Sequence, residues 1–167
     1  MDYQIDLIAE FDREAAKTRK ALEAVPADAD FNFKPHPKSM SLGRLLGHLT
    51  DFTGDWALST LTTDKLEIGA GSEYKPFVPS SAAEALAGFE KNLSATRAAL
   101  VATTGAAWDR NWQLVWQGHT VIDQPKHQVF RDAVLNHMIH HRGQLSVYLR
   151  LLNARVPGLY GPSADEM

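Results

Sequence analysis

No cysteine occurs among the 167 residues, and that removes disulfides, thiolate metal ligands, iron–sulfur clusters and a cysteine nucleophile together. Any metal must take histidine, carboxylate or water, and any thiol chemistry must bring its sulfur on another molecule. Long apolar runs are missing too. Charged residues or histidines interrupt every helical pattern well short of the roughly 18 apolar residues a membrane span needs, so no membrane partner is expected. The opening residues, Met1-Asp2-Tyr3-Gln4-Ile5-Asp6, carry neither the basic segment nor the apolar run of a secretory signal, and a cytoplasmic location is expected. An excess of charge is lacking as well. With 17 Lys plus Arg against 20 Asp plus Glu, the net charge of −3 argues against nucleic acid, whose binding rests on cations neutralising phosphates. The chain also has no G-x-S-x-G elbow, phosphate-binding loop, dinucleotide glycine fingerprint or His-Glu-x-x-His motif.

What is present suits one domain, residues 1–167, with 44% apolar and 22% charged residues. Four helical segments stand out. The first runs from about Ile5 to Ala24, with apolar residues on one face and charges on the other, and ends at Pro26. The second starts at a serine cap, Ser39 or Ser41, and runs to Leu61 with a stripe of Leu42, Leu45, Leu49, Phe52 and Trp56. A link with Gly69, Gly71, Pro76 and Pro79, including a Gly69-Ala70-Gly71 turn, precedes a capping box, Ser81-Ala82-Ala83-Glu84, and a third helix to Thr103. Gly105 to Gln124 carries three tryptophans, and the alternation from Trp112 to Trp116 is compatible with a short strand or hairpin. Pro125 suits the first turn of a fourth helix, Lys126 to Leu152. The order predicts an all-α four-helix bundle with a long link before the last helix.

Seven histidines are the unusual component, and His137, His140 and His141 fall within five positions. At about 100° per residue, His137 and His141 point with the apolar stripe of helix four, one turn apart, a geometry in which both rings reach one cation. His140 falls at the edge of the stripe, and Arg142 is expected to turn outward. On helix two His48 borders the core. A border position on one helix can meet an inward position on another, so His48, His137 and His141 are the candidate metal ligands. Three imidazoles leave a position open for water or substrate; the metal could lower the pKa of bound water or hold a substrate thiol as thiolate. The competing reading is a pair of hydrogen-bonded core histidines, but polar groups left unsatisfied on a core stripe cost about 1 to 3 kcal/mol each. Zinc is the first choice of ion, with nickel or iron also accommodated.

His48 within Leu45-Leu46-Gly47-His48-Leu49, the run Asn136-His137-Met138-Ile139-His140-His141-Arg142-Gly143-Gln144, and the tail Val156-Pro157-Gly158-Leu159-Tyr160-Gly161-Pro162-Ser163 together resemble the DinB superfamily. The resemblance spans most of the chain, and its most specific part is the His-x-x-x-His-x-x-Gln spacing followed by the tail. It implies an up-down-down-up bundle, a homodimer, and a divalent metal on His48, His137 and His141. Relatives of this kind include bacillithiol S-transferases and mycothiol-dependent maleylpyruvate isomerase. By that resemblance the expected activity is a thiol S-transferase or hydrolase acting on a small-molecule substrate, with a low-molecular-weight thiol as a second cofactor. The alternatives are a non-catalytic metal-binding stress-response protein and a dimerisation module.

Among other candidates, Gln144 lies one turn beyond His141, where it can hydrogen-bond the metal's water or a substrate, or pack a helix interface. Asp51 and Asp55 point toward the solvated side and read as surface acids, with Asp51 retaining the option of orienting a ligand histidine. Tyr148 continues the core stripe. Trp108, Trp112 and Trp116 are expected to plug the end of the bundle. Tyr160 and the tail either stay mobile, fold back near the metal mouth or meet a neighbouring subunit, and His36, His119 and His127 read as exposed.

Overall fold

The computed structural model describes residues 3–69, 71 and 74–167; Ala70 of the expected glycine turn lies outside the described residues, as do Met1 and Asp2 of the opening segment. Helix α1 (Tyr3–Glu23) buries Leu7, Phe11, Ala15 and Leu22 at the three- and four-residue spacing of an amphipathic helix. After Pro26 the chain crosses the bundle, and the backbone carbonyls of Phe31 and Phe33 accept from the amides of Gly43 and Leu42. Ser41 caps α2 by accepting from the Arg44 amide at 3.2 Å, which satisfies a donor the helix itself leaves open.

Helix α2 is composite: α-helical over Leu42–Asp51, π-helical over Phe52–Trp56 and α-helical again over Ala57–Thr62. A π turn disturbs the regular ladder, and neighbours meet the carbonyls along it. Asn92 Nδ2 donates to the Thr50 carbonyl at 3.0 Å and Thr96 Oγ1 to that of Thr53 at 2.7 Å. Both donors lie on helix α3 (Ala82–Ala102). Gly54 sits at the kink, where a Cβ would lie 2.2 Å from the Asn92 side chain. In α3 the expected capping box forms only in part. Ser81 accepts from the Glu84 amide, but the Glu84 carboxylate turns to the amide and hydroxyl of Ser80. Helix α4 repeats the composite pattern, with Lys126–Val129, a π segment Phe130–Leu135 and Asn136–Leu151. Buried Lys126 donates from Nζ to the carbonyls of Leu61 and Thr63, placing a cation at the negative end of α2. Helices α1 and α2 each pack against both α3 and α4.

The expected all-α class is corrected by a mixed three-stranded sheet. Strand β1 (Lys65–Ile68) pairs in parallel with β2 (Asn111–Trp116), which pairs antiparallel with β3 (His119–Pro125). The β2–β3 turn, Gln117-Gly118, has both φ positive, the conformation that matches the twist of a tight hairpin. Ile68, Trp112 and Leu114 pack with Val129 in a second apolar cluster beneath the sheet. Trp108 does plug the main core, donating from Nε1 to the Thr103 carbonyl. Trp112 packs under the sheet instead, while Trp116 remains 49% exposed.

Two further expectations change. Arg142 does not turn outward: it is 1% exposed and its Nη2 donates to Glu14 Oε2 at 2.5 Å. The tail is pinned rather than free, because the Tyr160 hydroxyl donates to the same carboxylate at 2.5 Å and contacts Arg142. Lys17, Tyr160 and Arg142 together hold Glu14 down at about 2, against the upward push of burial. Tyr148 is core, as expected, with its hydroxyl donating to the Met40 carbonyl.

Candidate metal centre

Helices α2 and α4 bring His48, His137 and His141 together, each offering a ligand atom, and these atoms all lie within 4.8 Å of one another. The ring centroids are 4.5 Å apart for His48 and His141, 4.7 Å for His137 and His141, and 5.6 Å for His48 and His137. Each helix carries a π segment within about a turn of its histidines, a feature found often at functional sites. The Phe52 ring, on the π turn of α2, stacks on His137 at 4.0 Å and meets His48 edge-on at 4.7 Å, and Trp56 backs it at 4.8 Å.

Hydrogen bonding fixes the tautomer of His141. Gln144 Oε1 lies 2.8 Å from His141 Nδ1, and an amide oxygen can only accept, so Nδ1 carries the proton and Nε2 keeps a lone pair. The Gln144 amide nitrogen in turn donates to His140 Nε2 at 3.1 Å. His141 Nε2 and His48 Nδ1 are both buried with no hydrogen-bond partner among the described residues. Two orphaned ring nitrogens in one cluster are costly, and a shared cation relieves both at once. Burial depresses the basicity of all three rings. The His48 pKa falls to about 3, with the neighbouring histidines and Arg44 adding to the effect, and that of His137 to about 4. His141 is lowered as well, against the opposing hydrogen bond of Gln144. The rings are therefore neutral near pH 7, the state a metal ligand requires. This donor set fits a borderline divalent ion.

Asp51 departs from the expected surface acid. It is 4% exposed, accepts from the Tyr74 hydroxyl at 2.9 Å and the Phe77 amide at 3.4 Å, and its Oδ2 lies 3.8 Å from Arg44 Nη1. Burial raises its pKa to about 6 despite those partners, and pushes the Tyr74 phenol up to about 12. Its carboxylate engages the link after β1 and faces Arg44; it makes no hydrogen bond to His48 among the described residues. Gly47 makes this packing possible, since a Cβ there would lie 1.8 Å from the Phe77 carbonyl oxygen.

His140 is exposed, as its edge position implies, and His36 and His119 are exposed as well. His127 is half-buried instead: it stacks on Tyr3 at 4.2 Å and its Nδ1 lies 3.1 Å from the Trp108 carbonyl oxygen. Arg44 and Tyr74 were missed by sequence reasoning, and Asp51 was named there only as a surface acid with the option of orienting a ligand histidine. Arg44 alone had a usable signal, standing four residues before His48 and so on the same helical face.

Residues 1–167 match a family model described as DinB family. Among solved structures the chain resembles a DinB-like protein from Bacillus cereus ATCC 10987, with a TM-score of 0.69 and 23% identity over 92% of this chain and 95% of that one. That likeness is one of fold. Comparison with curated proteins gave no match. Among the described residues no helix is long and apolar enough to cross a membrane.

Proposed function

The chain belongs to the DinB family, and from that premise we propose that it is a metal-dependent enzyme in which His48, His137 and His141 hold one divalent ion, zinc before nickel or iron. The observation that carries the reading is the clustering of the three ligand atoms within 4.8 Å with two buried ring nitrogens left without partners. An open site is favoured over a closed structural one because His48 borders a cavity of about 330 Å³, and catalytic sites keep a coordination position for water or substrate. The proposed reaction class is transfer of a small thiol to an electrophile, or hydrolysis, in the cytoplasm and by a homodimer.

A bound ion would supply a Lewis acid that makes a thiol or water a better nucleophile at neutral pH. The protein's own residues prepare the site. Gln144 accepts from His141 Nδ1 and thereby aims the Nε2 lone pair inward. Phe52 and Trp56 cover the rings on one side and limit access of water. Burial keeps His48 and His137 unprotonated, so that ligation needs no proton to leave either ring near pH 7.

The test is elemental analysis of untagged protein, wild type and His137→Ala, followed by thiol transfer to a model electrophile. About one equivalent of divalent metal is expected in the wild type and a large loss in the variant, with turnover disappearing on chelation while the fold persists. Absence of metal from both, with no zinc uptake on titration, overturns the metal centre; turnover that survives in metal-free protein overturns its catalytic role.

A further inference from the structure

The cavity beside His48 has walls of two kinds. Ile68, Pro76 and the half-exposed Trp116 make an apolar side, and Arg44, Trp56 and Tyr74 make a polar one. Among the described residues lining it, Arg44 is the one side chain with a permanent charge. Its compensation is incomplete. Asp51 Oδ2 stands 3.8 Å from Nη1, an ion-pair distance without a hydrogen bond, and the Asp51 oxygens are already occupied by the Tyr74 hydroxyl and the Phe77 amide. Nη1 is buried with no partner, and among the described residues the rest of the guanidinium makes no hydrogen bond either, although the side chain is only 30% exposed.

Trp56 Nε1 is a second buried donor without a formed hydrogen bond. It is near enough to the Tyr74 oxygen to favour the phenolate, but the pair falls short of hydrogen-bond geometry. Two unsatisfied donors, one of them cationic, thus belong to residues that line the cavity; both nitrogens are buried as the side chains stand, so an incoming acceptor meets them through a turn of the Arg44 and Trp56 side chains. An acceptor arriving from outside would answer both.

We propose that this cavity binds small carboxylic acids, with the carboxylate taken by the Arg44 guanidinium and the Trp56 indole N–H and the apolar body lying on Ile68, Pro76 and Trp116. A planar anion with two oxygens matches the guanidinium fork. A volume of about 330 Å³ is at the small end for ligand sites. Arg44 and His48 lie one helical turn apart on the same face of α2, so a carboxylate at Arg44 leaves its ligand's next few atoms at the histidines. The metal-centre reading therefore makes this pocket the electrophile's seat, and the substrate class becomes small acids whose reactive carbon lies a few bonds from the carboxylate. Carboxylate recognition itself rests on Arg44 and Trp56.

The experiment compares 3-phenylpropanoate with its neutral isostere 3-phenylpropanamide by tryptophan fluorescence titration, on metal-free and zinc-treated protein, with metal content measured in parallel. The acid is expected to bind at least ~10-fold more tightly than the amide in both forms, as a charge-assisted hydrogen bond implies. Arg44→Met, with folding checked by circular dichroism because Arg44 also faces buried Asp51, should erase most of the difference between acid and amide, and Trp56→Phe should reduce it in part. Equal affinity for acid and amide in the wild type, which needs no variant to detect, overturns the proposal. So does a preference that survives Arg44→Met, or one that appears only with zinc, which would put the carboxylate on the ion. Failure of zinc to load would sink the metal centre, whereas the acid preference of metal-free protein decides the pocket independently.

Discussion

Acidification of the metal-free protein should remove stability by an amount the buried histidines set. Take chelator-treated protein from pH 8 to pH 5. His48 and His137 have folded-state pKa values of about 3 and 4 against an ordinary 6.5, so the unfolded chain binds protons in this window and the folded chain does not. The contribution is complete above pH 6.5 and declines as pH falls toward the folded values. At pH 5 each ring has lost about 2 kcal/mol, or about 4 kcal/mol for the two. Asp51 works in the opposite sense. Its pKa is raised from 3.8 to about 6, so it takes up a proton in the folded state over the same range and returns about 1.4 kcal/mol. Glu14, held at about 2, loses little above pH 5. The net expectation is a loss of between about 2 and 3 kcal/mol, which at an m-value of about 2 kcal/mol/M lowers the urea midpoint by roughly 1 M. Circular dichroism in a urea series at each pH measures it directly. His48→Leu should halve the histidine contribution, and saturating zinc should delay the loss to lower pH, because metal and protons compete for the same nitrogens. A midpoint that is flat or rising between pH 8 and pH 5 would refute the reasoning.

Two other outcomes follow from named contacts. Gln144→Leu removes the acceptor that orients His141 and should weaken zinc binding by ~10- to 100-fold in competition with a chromophoric chelator, whereas Gln144→Glu should bind nearly as well as wild type; equal affinity in all three would remove Gln144 from the site. Arg142→Met takes from the buried Glu14 carboxylate one of its two cations, leaving Lys17 and Tyr160, and should cost about 2 kcal/mol in urea unfolding, largely recovered in a Glu14→Leu, Arg142→Met double variant; a loss below about 1 kcal/mol would show the pair to be idle.

The parts of this fold legible in the sequence were the ones with local signals. Helix caps, prolines and the i, i+4 spacing of His137 and His141 all act within a turn or two, and most mark what they indicate, although Glu84 turns to Ser80 and Pro125 closes β3 just before the helix begins. Strand β1 gave no such signal. It has four residues, and its parallel partner β2 lies more than forty positions later, so neither length nor alternation marks it. The π turns were equally silent, and they spoil angular arithmetic, because 100° per residue does not hold across Phe52–Trp56 or Phe130–Leu135. Asp51 and Arg142 were misjudged for a third reason. A polar residue off the apolar stripe faces water only where nothing else covers it, and here the Tyr74–Phe77 link covers one while Glu14 and Tyr160 cover the other.

The Glu14–Arg142 ion pair governs something its distance from solvent alone would not suggest. His141 and Arg142 are adjacent, so their side chains leave the α4 axis about 100° apart, one toward His48 and the other toward α1. Holding Arg142 against Glu14 therefore adds a polar latch to the roll that the packed core face of the helix already favours. With side-chain tips about 5 Å from the axis, a roll of about 10° displaces a ring nitrogen by roughly 0.9 Å, while metal–ligand distances tolerate about 0.2 Å. The ion pair is in effect a rotational stop: loosened, it would leave all three histidines in place on folded helices, yet His137 and His141 turned too far to close on one ion with His48.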